Sequence, residues 1–270
     1  MRADRSAETI AVVSGKGGVG KSNISLNLSI LLSAAGRRVA LVDADIGTAN
    51  LDVLLNVEAR ATLAHAISGS RRLEEIVMDL PCGVQFVPGA SGLSQMANLS
   101  EFQRAQMVSE LAALEADNDV IVIDCGAGIG RDVTHLAAQA DNVLAVTTPE
   151  PTAVTDAYAL IKVLAQHPQA PAKVSLLVNQ AEDRHEARAT YQRVAEVARQ
   201  FLSLRVLDAG CVLADPKVSE SVRRRQPFVL NAPRCPASRC LAALANKLSA
   251  GSSLVGQKQG FFRRVANWFA

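Results

Sequence analysis

No CxxC pair occurs among the five cysteines, Cys82, Cys125, Cys211, Cys235 and Cys240, which are odd in number and widely spread. That excludes a disulfide framework and offers no zinc or iron–sulfur site. Charge of one sign is equally missing: 28 basic against 26 acidic side chains leave a formal charge of +2, so bulk electrostatics names no polyanionic partner. No run approaches about 18 apolar residues, and the first apolar stretch, Ile10 to Val13, is too short for a signal-peptide core. The expected compartment is a reducing cytoplasm, with any membrane contact peripheral on the inner face of the cell membrane. The four histidines, His65, His135, His167 and His185, lack ligand spacing. Aromatics are few, seven Phe, two Tyr and one Trp, and four of them (Phe261, Phe262, Trp268, Phe269) crowd the extreme C-terminus.

What is present is an ordinary globular composition, 49% apolar and 20% charged, in which a chain of 270 residues buries a sizeable core. Short Val/Ile/Leu runs recur at Thr9 to Ser14, Val39 to Asp43, Val84 to Pro88, Val120 to Asp124, Asn142 to Thr148, Val174 to Asn179 and Val206 to Leu213. They are nearly continuous, as parallel strands covered on both faces require. Helical patterns lie between them at Ser22 to Ala35, Glu101 to Ala116, Thr152 to Gln166, Glu186 to Phe201 and Ala237 to Ser249. This βα alternation predicts an α/β, doubly wound, mostly parallel sheet with helices on both faces. Ligands of such sheets sit beyond the carboxyl ends of strands. The expected organisation is an N-terminal extension (1–7), one domain (8–249), a Gly/Ser-containing linker (250–259) and a C-terminal helix (260–270).

Directly after the first strand stands Gly15-Lys16-Gly17-Gly18-Val19-Gly20-Lys21-Ser22, followed by Asn23 and a helix. The spacing GxxxxGK[ST] in a strand–loop–helix context is a phosphate loop. Glycines let backbone N–H groups converge on phosphate oxygens, and the helix adds its positive dipole end. Lys21 would neutralise β/γ-phosphates and the Ser22 hydroxyl would bind Mg²⁺. Strand Val120 to Ile123 ends in Asp124, placed to hold the Mg²⁺ water shell, with Gly126-Ala127-Gly128 beyond it able to move with a γ-phosphate. The second strand ends in Asp43-Ala44-Asp45, and Asp45 is the better candidate to orient the attacking water; the alternative for either is a turn or helix-cap carboxylate.

The loop's second lysine, Lys16, ahead of Gly17-Gly18, resembles the deviant Walker A loop (KGGxGK[ST]) of the MinD/ParA class of P-loop ATPases. The resemblance implies an ATP-sandwiched homodimer with Mg²⁺, in which Lys16 reaches the partner's nucleotide. It also makes Asp45 the hydrolytic carboxylate, Asp124 the Walker-B residue, Asn179 the adenine reader and Asp215 a residue near the base. The stretches Asp43 to Leu55, Asp124 to Gly130, Thr148 to Lys162, Asp215 to Ser219 and Gln226 to Phe228 look like the flagellar-number regulators called FlhG, FleN or YlxH, over roughly residues 8 to 248. That family implies a membrane- or pole-associated ATPase working with the GTPase FlhF and sometimes a transcriptional activator. Many relatives open with a DQAxxLR-type helix that stimulates the GTPase, a pattern from which Met1-Arg-Ala-Asp-Arg-Ser-Ala-Glu8 departs. The alternatives are a ParA-type DNA-partition ATPase, which would use basic runs such as Arg223-Arg224-Arg225, and a binding module that holds ATP with scarcely any turnover. Solvated helix faces account for most charge runs, so DNA is not the expected partner. Two tyrosines, Tyr158 and Tyr191, rule out the tyrosine-rich tail of the class's kinases.

In helical projection Phe261, Phe262, Val265, Trp268 and Phe269 share an arc of about 120°, with Arg263, Arg264 and Asn267 opposite. This predicts an interfacial helix with arginines suited to anionic lipid heads. The same arc would equally suit docking on the protein's own core. Burial yields about 7 to 12 kcal/mol against about 10 for ordering the segment, so one tail binds lipid marginally and two on an ATP dimer bind with avidity.

Overall fold

The computed structural model describes residues 6–45, 51–89, 101–169, 171, 173–251 and 260–268. In chain order the strands are β1 (Glu8–Ser14), β2 (Val39–Ala44), β3 (Met78–Asp79), β4 (Val84–Val87), β5 (Val120–Ala127), β6 (Asn142–Thr147), β7 (Lys173–Ala181) and β8 (Leu207–Leu213). The helices are α1 (Lys21–Ala34), α2 (Leu51–Leu55), α3 (Leu63–Ile67), α4 (Glu101–Asp117), α5 (Arg131–Ala138), α6 (Pro151–Gln166), α7 (Arg184–Leu202), α8 (Pro216–Arg223), α9 (Phe228–Asn231), α10 (Pro236–Gly251) and α11 (Phe261–Trp268). The strands form one sheet in the order β3-β4-β2-β5-β1-β6-β7-β8. Every pairing is parallel except that of β3 with β4 at the edge.

Period-two geometry divides each central strand between two apolar layers. Ala11 and Val13 of β1 and Ile121 and Ile123 of β5 enter one, with side chains from α4, α5, α6 and α7. Ile10, Val12, Val120 and Val122 enter the other, with α1, α9 and α10. Strands wet on neither face need no polar positions, which is why their sequences run apolar without alternation. β1 lies between β5 and β6 while the chain leaves it for β2, so the order reverses around β1. The loop after β1 opens at that switch point, where such sheets bind ligands.

Helix α11 packs on the domain. Phe261, Phe262, Val265 and Ala266 are 1, 1, 3 and 4% exposed and join the layer that holds Leu111 and Leu114 of α4. Phe261, Phe262 and Val265, expected to meet lipid, here meet the protein's own core, and with Ala266 they make this stretch of α11 a packed part of the fold. An apolar arc is satisfied by any apolar surface, and a tethered one is met at high effective concentration. Phe269 lies outside the described residues, and Trp268 is placed only by its backbone at the end of α11. Among the described residues no helix is long and apolar enough to cross a membrane.

Candidate functional site

Between β1 and α1 the chain turns through Gly18 and Gly20 at φ 82° and 91°, in the left-handed region glycine favours. Gly20 is the N-cap of α1 and no side chain caps the helix, so its first N–H groups stay available to an anion. Glycine is also demanded by crowding: a β-carbon on Gly15 would run into the Asp156 carbonyl of α6, and one on Gly20 into the Asn179 amide. A cavity of about 380 Å³ opens here, lined by Ser14, Gly17, Gly18, Gly20, Lys21, Ser22, Asn23 and Asp45, with Val53, Leu54 and Ala127 at its side.

The carboxylates come from adjacent strands. Asp43 of β2 stands in register with Asp124 of β5, and the carboxylate of Asp45, the residue after β2, lies beside Gly126 near the end of β5. Lys21 Nζ donates to Asp124 Oδ1 at 3.1 Å, and the Ser25 hydroxyl donates to the same oxygen at 2.8 Å. This ion pair is sealed from solvent, its side chains 7% and 1% exposed. Burial pushes the Asp124 carboxyl up, against the pull of the Lys21 ammonium and the Ser22 and Ser25 hydroxyls. Burial also raises Asp43 to about 7, with Asp124 and Asp45 adding to it and the Asp45 N–H opposing it. Next to Asp124 the buried Cys125 thiol is pushed by burial to about 12 and stays protonated.

The two lysines of the loop part company. Lys21 lines the cavity, whereas Lys16 does not. Lys16 Nζ reaches over the surface to Glu150 Oε2 at 2.9 Å and Thr152 Oγ1 at 3.0 Å, at the start of α6, and its side chain is 39% exposed. Asn179, at the end of β7, is buried, and its Nδ2 donates to the Val19 carbonyl at 2.7 Å, which ties the end of β7 to the phosphate loop. Asp215 stands apart from the cavity: it caps α8 through the Lys217 N–H at 2.9 Å and faces the Ala237 N–H of α10. Burial pushes its carboxyl up, but these N–H groups and the Cys235 thiol outweigh it and hold it below its ordinary value. Within the basic run, Arg224 pairs with Glu220 one turn back at 2.8 Å.

Sequence reasoning missed Ser25, Glu150 and Thr152. Ser25 lies one helical turn beyond Lys21, a spacing that could have raised it. Glu150 and Thr152 meet Lys16 across 134 and 136 residues, a contact that only the sheet order creates.

A glycine loop closing on a helix N-terminus, a buried lysine beneath it and a strand-end aspartate define a P-loop nucleotide site, and the second loop lysine places it in the deviant Walker A class of ATPases. The model for the CobQ/CobB/MinD/ParA nucleotide-binding domain matches residues 10–228, and the chain belongs to that family. Antiactivator FleN of Pseudomonas aeruginosa is 39% identical over 241 residues, spanning 89% of this chain and 86% of that protein. Flagellum site-determining protein YlxH of Helicobacter pylori is 35% identical over 266 residues, 96% of this chain and 90% of that one. The septum site-determining protein MinD of Pyrococcus horikoshii, solved with Mg-ADP, superposes with a TM-score of 0.73 at 25% identity, covering 92% of this chain and 100% of that one. The chain is thus a MinD/ParA-family ATPase related to flagellar regulators.

Proposed function

We propose that the chain is an ATP-dependent homodimer that regulates flagellar number and placement, associates with the membrane while dimeric, and hydrolyses ATP to ADP and phosphate to dissolve both states. The observation that carries this reading is the separation of the two lysines. One is buried with Asp124 beneath the phosphate loop; the other is held outside its own cavity at 2.9 Å from Glu150. A loop that keeps a second ammonium off its own phosphate site has one to donate to a neighbour's. Val53 and Ile129, 50% and 51% exposed beside the cavity and on the loop after β5, give that neighbour an apolar footing.

The residues present suit a magnesium triphosphate. Lys21 would move from Asp124 to the β/γ-phosphates, while the Ser22 hydroxyl and Asp124, with Asp45 nearby, would hold Mg²⁺, which neutralises phosphate charge. Asp45 would orient the attacking water and Lys16 of the opposite protomer would offset charge on the γ-phosphoryl. Asn179 spends one of its two amide N–H groups on Val19, which leaves the other to donate and Oδ1 to accept at an adenine edge. A role for Asp215 near the base would come through the position of the loop it caps. Membrane association would require α11 to leave its dock and present Phe261, Phe262, Val265, Trp268 and Phe269 to lipid. The flagellar role and a regulatory partner, whether a transcriptional activator or the GTPase FlhF, rest on the relatives' names and the family resemblance.

Light scattering with a non-hydrolysable ATP analogue tests the core of the reading. Wild type is expected to run as a dimer, and Lys16→Ala as a monomer that still binds the analogue within about threefold of wild type. A monomeric wild type at saturating analogue overturns the proposal.

A further inference from the structure

The two ends of the described chain meet on the same pair of carboxylates. Glu115, near the end of α4 and buried, accepts the Ser6 hydroxyl on Oε2 at 2.7 Å and the Phe262 N–H of α11 on Oε1 at 2.7 Å. Asp141, just before β6, accepts the Thr9 N–H and hydroxyl on Oδ2 at 3.1 and 2.8 Å and Arg264 Nη2 on Oδ1 at 3.1 Å. Glu115 therefore gives one oxygen to the N-terminal arm at Ser6, Asp141 gives one to Thr9 at the start of β1 just beyond that arm, and each gives its other oxygen to the C-terminal helix. Arg264 also donates through Nε to the Gln139 carbonyl at 2.8 Å, which fixes the guanidinium beside Asp141. The fit is close enough that a β-carbon on Gly260 would run into the Glu115 carboxylate.

We infer that the N-terminal arm and helix α11 form one coupled latch, in which loosening either end through Glu115 and Asp141 loosens the other. The physical reason is shared charge. Phe262 N–H lies in the first turn of α11 and lacks an intrahelical acceptor, so the Glu115 carboxylate is what caps that helix end. Without the Ser6 hydroxyl, a buried carboxylate keeps one protein donor fewer, is less firmly oriented and is costlier to hold charged, so it caps α11 less well. When α11 departs, it removes both an N–H donor from Glu115 and the cation from Asp141, and the bonds to Ser6 and Thr9 lose their counterparts. Coupling of this kind is reciprocal by thermodynamic necessity. Its consequence for function rests on the membrane reading above: a partner that draws out the N-terminal arm would free the tail for lipid, and lipid capturing the tail would free the arm.

Two conservative variants of the full chain test the latch from opposite sides, in the absence of nucleotide and lipid, so that failure of the dimer or membrane reading leaves the test intact. Ser6→Ala touches only the arm and is read by amide hydrogen exchange at Phe262 to Ala266; faster exchange by about fivefold is expected, the equivalent of one hydrogen bond. Gly260→Ala sets a methyl against the Glu115 carboxylate at the start of α11 and is read away from that contact, at Thr9, whose N–H is bonded to the other carboxylate, Asp141; a similar acceleration is expected. Unchanged exchange of α11 in Ser6→Ala, or a loosened α11 with unchanged exchange at Thr9 in Gly260→Ala, overturns the coupling.

Discussion

Lys16 and Lys21 sit in one loop yet carry different electrostatic burdens. The pair of Lys21 with Asp124 is sealed from water, where removing one partner strands the other charge and costs several kcal/mol. The pair of Lys16 with Glu150 is half solvated, its side chains 39% and 64% exposed, and is worth at most about 1 kcal/mol. Lys16 can therefore leave Glu150 cheaply when a phosphate appears across an interface. Glu150→Gln is expected to shift analogue-driven dimerisation to lower protein concentration, by no more than about fivefold, as measured by analytical ultracentrifugation. Weakened dimerisation would mean instead that Glu150 helps aim the lysine. Asp43 offers a second residue-scale test. Its carboxyl titrates at about 7 in the fold against an ordinary value near 4, so between those values the folded state holds a proton that the unfolded chain has lost. Stability present below about pH 4 thus declines as pH rises toward 7, by at most about 4 kcal/mol. Asp43→Asn should flatten that slope in urea unfolding of the nucleotide-free protein and make it more stable than wild type at pH 8. An unchanged slope would show that Asp43 is ionised throughout.

At the scale of elements, strands were legible because burial on both faces leaves an apolar run with nothing polar to interrupt it. The run Val120 to Asp124 predicts β5, which the fold carries three residues further, through Cys125 and Gly126 to Ala127. The phosphate loop was legible for a related reason: close approach of its backbone to Asp156 and Asn179 admits only glycine at Gly15 and Gly20. Short elements left little trace. α5, with Arg131 and Asp132 in its first turn and His135 in its last, is absent from the helical patterns named above, and β3 has two residues. Asp215 shows why site residues are harder to read than elements: a carboxylate that opens a helix, as it does for α8, carries no further mark in sequence of whether it also stands beside a base. For α11 the helix itself was readable and its destination was not. Its apolar arc carries no information about whether lipid or protein covers it, and the acceptors that choose, Glu115 and Asp141, lie more than a hundred residues away.

For the molecule as a whole, the docked tail changes the energetics of membrane binding. Phe261, Phe262, Val265 and Ala266 are already out of water, so transferring α11 to a bilayer gains little apolar burial from those positions and gives up the Glu115 and Asp141 contacts. One tail then has scant reason to leave. A dimer presents two tails, and once the first is inserted the second engages at an effective concentration that raises avidity by roughly 10² to 10⁴ without any new contact. Lipid binding should consequently follow the dimer rather than the monomer. In co-sedimentation with anionic vesicles, intact chain with a non-hydrolysable ATP analogue should pellet, intact chain with ADP should stay largely in solution, and a chain ending at Gln257 should stay in solution with either. Salt should weaken the pelleted fraction, because Arg263 and Arg264 would share the interface with acidic headgroups. ATP-dependent pelleting that survives the truncation would move the membrane contact from α11 to another surface. Pelleting equal in ADP and analogue would uncouple it from the dimer.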